Sequence, residues 1–303
     1  MEAGPAIPDS FADRPHSTVR VRRSPARRNG RTEGSGAFGP LPELAIRSEL
    51  RDARWVRVLI TSDLHYRLPT FDWLAGMAEG FDAVAVVGDL LDVASPVPID
   101  TQIVVVDAYL DRIAASCTLL VASGNHDLDG PGQHGEQIAS WLRRPRFGTV
   151  ITDGQTADLG AVRFTVCPWW DGPITRGEVD RQLRNAATGN EQAWIWLYHA
   201  PPAGTPLCRD GRHSFPDPEL AAWIGELQPD LVLCGHIHQA PWTEGGSWHA
   251  QLGRSFVFNA GHLRSRIPPH IILDTELATA DWNGLDDWET LHLVGLRGAG
   301  AVS

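Results

Sequence analysis

"LVLCGHIHQAPW", residues 231–242, begins as an unbroken apolar run from Leu231 to Cys234, stops at Gly235, and sets His236 and His238 either side of Ile237. A short continuous apolar run reads as a buried strand. Two imidazoles one residue apart, where the strand leaves the core, are either ligands or polar punctuation. Alone they do not decide. The same arrangement recurs upstream. "WVRVLIT" (55–61) breaks into polar "SDLHYR", "FDAVAVVGD" (81–89) ends in Gly-Asp, and "CTLLVASGNHD" (117–127) ends in Gly-Asn-His-Asp. Apolar spacing predicts helices over 70–80 and 99–116, so strand, helix, strand, helix, strand implies parallel βαβ units.

The second half repeats the habit. "AVRFTVCPWW" (161–170), "AWIWLYHA" (193–200), "DLVLCGHIH" (230–238) and "SFVFNAGH" (255–262) are strand-like runs that close on polar residues. "DPELAAWIGELQ" (217–228) predicts a helix with Asp217 as its cap. Residues 1–50 differ. They are rich in Pro, Gly, Ser and Arg, with seven arginines and no acid between Arg14 and Arg31, and are expected to form a disordered tail. Residues 51–303 are expected to form a single domain.

Composition narrows the function classes. With 43% hydrophobic and 21% charged residues, the chain reads as an ordinary soluble enzyme or binding protein. It has no apolar stretch of membrane-spanning length and no secretory signal pattern, so a cytoplasmic location is expected. A net charge of −11 argues against coating a nucleic-acid backbone. Cys117, Cys167, Cys208 and Cys234 are far apart without a CxxC pair, which favours reduced, buried thiols over a disulfide or zinc knuckle.

The strand ends carry the chemistry. Asp63 and His65, Asp89, Asn125 and His126, His199, and His236 with His238 each follow an apolar run. In open α/β sheets those C-terminal ends line the ligand crevice. Each residue has a plain structural reading: Asp63 as a helix cap, Gly88-Asp89 as a turn, a single histidine as a satisfied polar side chain. Taken together, five of the twelve histidines, two aspartates and an asparagine stand at one predicted rim. Carboxylates, imidazoles and an amide oxygen without thiolate suit Mn, Fe or Zn. The number of donors exceeds what one tetrahedral zinc takes and matches two metal ions sharing a carboxylate.

Asp63-Leu-His65, Gly88-Asp89, Gly124-Asn125-His126-Asp127, His199 and Gly235-His236-Ile-His238 occur in the order of the calcineurin-like metallophosphoesterase superfamily, which the chain resembles over about residues 55–262. The resemblance implies a four-layer αββα sandwich with the site at the strand ends. It implies one metal held by Asp63, His65, Asp89 and His238, and another by Asp89, Asn125, His199 and His236, with Asp89 bridging. His126 would stand beside the phosphate as a proton donor, oriented by Asp92 of "GDLLD". The implied reaction is in-line attack on a phosphoester by a metal-bridging hydroxide. Asn259 in "FNAGH" matches a loop Asn-Pro-Gly of relatives, with Ala260 in place of the proline.

The substrate is less legible. Protein Ser/Thr phosphatases of this superfamily continue the second motif with Arg-Gly and carry Glu after Asn-His, whereas here Val93-Ala94 and Asp127 stand in those places. With the acidic balance also against a nucleic-acid duplex, a small soluble phosphomonoester or phosphodiester is expected, nucleotides included. Trp169 and Trp170 are candidates for stacking on a base, with core packing an equal reading. Arg67, Arg209, Arg212, Arg264 and Arg266 lie in loops and are candidates for a phosphate clamp, against the commoner solvated role. The loop from Pro201 to Pro216 is the candidate specificity loop. The competing class is a catalytically silent scaffold on the same fold. Its usual mark is a broken ligand set, and here the set is complete.

Overall fold

A computed structural model describes residues 55–297, apart from 145, 147 and 148. The expected N-terminal tail, residues 1–50, lies outside the described residues. The first half alternates strands and helices: β1 (Arg57–Thr61), α1 (Leu68–Met77), β2 (Ala83–Val87), α2 (Ile99–Ala114) and β3 (Thr118–Ala122). A short hairpin, β4 (Gly130–Pro131) and β5 (Gln137–Ile138), then precedes β6 (Val150–Thr152). The chain crosses to a second sheet through β7 (Thr156–Leu159), β8 (Val162–Val166), α3 (Pro173–Ala187), β9 (Ala193–Leu197), α4 (Pro218–Leu227), β10 (Leu231–Cys234), β11 (His249–Leu252) and β12 (Ser255–Asn259). It returns with β13 (His270–Asp274), β14 (Thr279–Asn283) and β15 (Trp288–His292).

The seven-stranded sheet runs β15-β14-β13-β1-β2-β3-β6 and the six-stranded sheet β11-β12-β10-β9-β8-β7. Period-two alternation explains how they stack. Val58 and Ile60, Ala83 and Ala85, Phe164, Ile195, Leu197, Leu231 and Leu233 belong to one buried cluster drawn from both sheets. Their strand neighbours Leu59, Val84, Val86, Leu119 and Val121 face the other way, into a cluster with Phe71 and Leu74 of α1 and Val106 and Leu110 of α2. On the second sheet, Trp194, Trp196 and Val232 pack instead with Val179 and Leu183 of α3 and Leu220 and Ile224 of α4. The layers are helix, sheet, sheet, helix: the αββα sandwich. Burial on both faces is why these strands read as continuous apolar runs rather than alternating ones.

The expected helices are present with trimmed ends. The stretch 70–80 is α1 followed by a tighter 3₁₀ turn, Ala78–Gly80, and α1 begins earlier because Pro69 fits the first helical turn. Asp217 caps α4 by accepting the Leu220 N–H at 2.9 Å, a contact typically worth about 1 kcal/mol. β1, β2 and β3 are parallel neighbours, as are β9 and β10, so all five point their C-terminal ends to one edge of the sandwich. No helix among the described residues is long and apolar enough to cross a membrane.

Candidate metal centre

Each of the seven metal-capable side chains expected from the sequence lies just past one of those five strands. The backbone there is strained. Asp63 (φ 58°), His65 (φ 43°), Asp89 (φ 55°) and His236 (φ 67°) occupy the left-handed region, half of all non-glycine residues that do so among the described residues. A bulky residue in that region is destabilising, and such residues persist where the surroundings hold them for function. Gly124 is required for a different reason. A Cβ there would overlap the Asp89 carboxylate and fall 2.6 Å from the Asp89 amide nitrogen, so no larger residue lets these two loops touch.

The side chains converge in two groups. The donor atoms of Asp63, His65 and His238 all lie within 4.8 Å of one another, as do those of Asp89, His199 and His236. His65 Nε2 and His238 Nε2 are 3.0 Å apart. His238 Nε2 is 3.2 Å from Asp63 Oδ1, and His199 Nε2 is 3.2 Å from Asp89 Oδ2. Asp89 reaches towards both groups, since the same oxygen is 3.8 Å from His65 Nε2. His65, Asp92 and His126 form a third set of donors at the same spacing.

Two atoms test whether this set fits a cation. His199 is fully buried, and its Nδ1 donates to the Val87 carbonyl at 2.7 Å, an acceptor that fixes the proton on that nitrogen. Its Nε2 then faces the carboxylates of Asp89 and Asp63, and it has no hydrogen bond despite the short contact. Asn125 Oδ1 is likewise buried without a partner. Buried polar atoms are nearly always paired, so the unspent His199 Nε2 beside two carboxylates marks a place for positive charge.

Protonation follows the same electrostatics. Burial opposes charge on His199, but the Asp89 and Asp63 carboxylates outweigh it and push its pKa up to about 10. Burial would raise Asp63, yet His199 and His238 reverse that and hold its carboxyl below the usual range; Asp89 is lowered in the same way by His199. His236 is pushed down to about 4 by burial and by the His199 charge, and burial also lowers His65. Burial opposes charge on His238 too, but Asp63 outweighs it and raises that ring. Ionised carboxylates and neutral His65 and His236 are the states that metal binding needs, and ions there would displace the protons that His199 and His238 favour.

Comparison with known proteins agrees with the geometry. A family model described as calcineurin-like phosphoesterase matches residues 56–240. The chain belongs to that family. Among solved structures, TT1561 of Thermus thermophilus is 16% identical with a TM-score of 0.52, covering 79% of this chain and 99% of that one. YfcE, a phosphoesterase from E. coli, is 16% identical (TM-score 0.39; 78% and 99% covered). Vacuolar protein sorting 29 from Cryptosporidium parvum is 13% identical (TM-score 0.37; 78% and 96% covered). At 16% identity the likeness to TT1561 is one of fold. No curated protein matches the sequence.

Around the phosphoesterase donors, the other expected residues fall into place unevenly. The His126 N–H donates to Asp89 Oδ1 at 2.9 Å, which ties the third motif to the second. Its ring Nδ1 accepts the Val93 N–H at 3.3 Å, while Asp92 Oδ1 stands 3.9 Å off and accepts the Ala94 N–H at 2.9 Å instead. Trp169 lies beside the ligand rings, 5.5 Å from His236 and 5.9 Å from His199. Trp170 is stacked on Tyr198 at 4.0 Å and meets Trp223 edge-on, so packing occupies its face. Arg67 precedes α1 with a buried, unpartnered Nε, and Arg264 is exposed.

Three residues take larger parts than their sequence signals suggest. Asp127 is buried and accepts three backbone N–H groups from both motif loops. Asn259 is also buried; its Nδ2 donates to the Gly235 and Ile237 carbonyls, each at 3.1 Å, either side of strained His236. His262 brings a sixth imidazole to the cluster, 4.7 Å from the His238 ring. A lone His after an apolar run and a Gly carries no signal by itself.

Proposed function

We propose that this phosphoesterase hydrolyses a small soluble phosphoester, nucleotides included, with two metal ions. One observation carries the reading: two donor groups sharing the reach of Asp89, with His199 Nε2 buried and unspent beside the Asp89 and Asp63 carboxylates. Asp63, His65, Asp89 and His238 would hold one ion, and Asp89, Asn125, His199 and His236 the other. The oxygen and imidazole donors suit Mn, Fe or Zn. When bound, such a pair supplies Lewis-acid charge to the phosphoryl oxygens and lowers the pKa of water. His126 accepts at Nδ1, so its ring presents an Nε2–H that would hydrogen-bond the leaving ester oxygen and stabilise the charge developing there. Asp92 Oδ1 stands 3.9 Å from Nδ1 of the same ring.

The test is hydrolysis of bis-p-nitrophenyl phosphate and p-nitrophenyl phosphate by protein loaded with Mn, Fe or Zn. Activity that EDTA abolishes and metal restores supports the proposal. His126→Ala is expected to keep its metals and lose about 10²-fold in rate. Absence of chelator-sensitive hydrolysis of both esters with all three metals would leave the scaffold reading in its place.

Asn259 gives a second test of the ligand assignment. Asn259→Asp keeps the shape but sets an acceptor against two carbonyls that now receive N–H bonds. Metal affinity, measured by chelator competition, is expected to fall roughly 10- to 100-fold. Unchanged affinity would mean the loop holds His236 and His238 without this amide.

A further inference from the structure

His262 has no part in the reaction as drawn above, yet the chain specifies its position closely. Gly261 before it has φ 76°, and a Cβ there would come within 2.7 Å of Pro241 and Trp242, so only glycine makes this turn. The Gly261 N–H donates to Asn259 Oδ1 at 2.8 Å, and the His262 N–H donates to the His238 carbonyl at 3.0 Å. The buried Asn259 amide therefore holds two turns at once, one carrying His238 and one carrying His262.

The consequence is a ring set against the first donor group without belonging to it. The His262 ring centre is 4.7 Å from that of His238 and 5.3 Å from that of His65. The donor group at ligand spacing consists of Asp63, His65 and His238. His126, the proposed hydrogen-bond donor to the leaving oxygen, stands in the same relation to His65, at 4.7 Å. Both imidazoles are half-buried, so each keeps part of its surface accessible. A rigidly placed, partly accessible imidazole at the border of a metal group is within reach of whatever that group binds.

We infer that His262 is a substrate-contacting residue that hydrogen-bonds the phosphoryl group beside the first donor group. The inference rests on the phosphoesterase reading, but its test does not need turnover. Tungstate, a tetrahedral oxoanion, is titrated calorimetrically into metal-loaded wild-type protein, His262→Ala and His262→Gln. Metal content is measured in each, together with KM and kcat for p-nitrophenyl phosphate.

The expected result is tungstate binding by the wild type, weakened about tenfold or more in His262→Ala, the loss of one hydrogen bond to a charged group. KM should rise by a similar factor at unchanged metal content, and His262→Gln, which keeps an N–H near the same place, should recover part of both. Wild-type tungstate affinity and KM in both variants would make His262 a packing residue and overturn the inference while leaving the phosphoesterase reading intact. Loss of metal in His262→Ala would also overturn it, making the ring an eighth ligand. If the metal-loaded wild type itself binds no tungstate, both readings fall.

Discussion

Asp89→Asn is expected to leave the protein folded, with less than one tightly held metal ion per chain and turnover lower by on the order of 10⁴-fold. The reason lies in how the carboxylate is used. Oδ2 stands 3.2 Å from His199 Nε2 and 3.8 Å from His65 Nε2, so it faces an imidazole of each donor group, and more closely than Asp63 Oδ1 at 3.7 Å and 3.9 Å from the same two atoms. Oδ1 accepts the His126 N–H at 2.9 Å, which fixes the orientation. In the amide variant the oxygen keeps the His126 bond and the NH2 group turns to the imidazoles. That replaces a ligand with a group that cannot ligate and removes one of two charges that favour cations here. A 10⁴-fold loss corresponds to about 5 kcal/mol of transition-state stabilisation, in the range that shared metal charge supplies. Metal analysis, thermal unfolding and ester hydrolysis on one preparation are the measurements. A variant with two metals and more than a tenth of wild-type activity would remove Asp89 from the centre of the proposed mechanism.

How much of this is visible without coordinates depends on burial. β1, β2, β3, β9 and β10 are buried on both faces, so each reads as a block of Val, Ile, Leu, Ala or Trp that stops abruptly at Gly or a polar residue. The stops are the site, which is why its donors are legible with the strands. β14 and β15 are not, because "TADWN" and "WETLH" mix acids and amides with apolar residues near a sheet edge where one face is wet. The same limit separates Trp169 from Trp170. Adjacent in sequence and identical in chemistry, they differ because Trp170 sits 4.0 Å from Tyr198 and meets Trp223 of α4, whereas Trp169, 6.1 Å from Tyr198, also borders the His236 and His199 rings. Asn259 and His262 need the loops they join, since nothing local shows that an amide after β12 reaches carbonyls 22 and 24 residues away.

Asp127 carries the largest expected effect on stability. It follows the His126 motif and does not face the donor groups; its carboxylate is turned inward, fully buried. Oδ1 accepts the N–H groups of Leu90 and Leu91, both at 2.9 Å, and Oδ2 accepts the Gly124 N–H at 2.8 Å. One side chain therefore ties the loop after β2, which presents Asp89, to the loop after β3, which presents Asn125. Its own carbonyl accepts the indole N–H of buried Trp141 at 2.8 Å. Asp127→Ala strips three amides of their acceptor, and leaving a buried donor unmet costs about 1–3 kcal/mol each. Partial relaxation and water entry reduce the sum, so a loss of about 3–5 kcal/mol is expected, in the upper range for a single substitution that breaks a buried hydrogen-bond network. For a protein of this size that lowers Tm by roughly 10 °C. Asp127→Asn should cost less, because its oxygen can still serve Leu90 and Leu91 while its NH2 opposes the Gly124 N–H. The order wild type, Asn, Ala is thus expected both in thermal unfolding and in metal affinity, as Asp89 and Asn125 lose their common anchor. An Asp127→Ala protein as stable as the wild type would show that the two loops are held by packing alone.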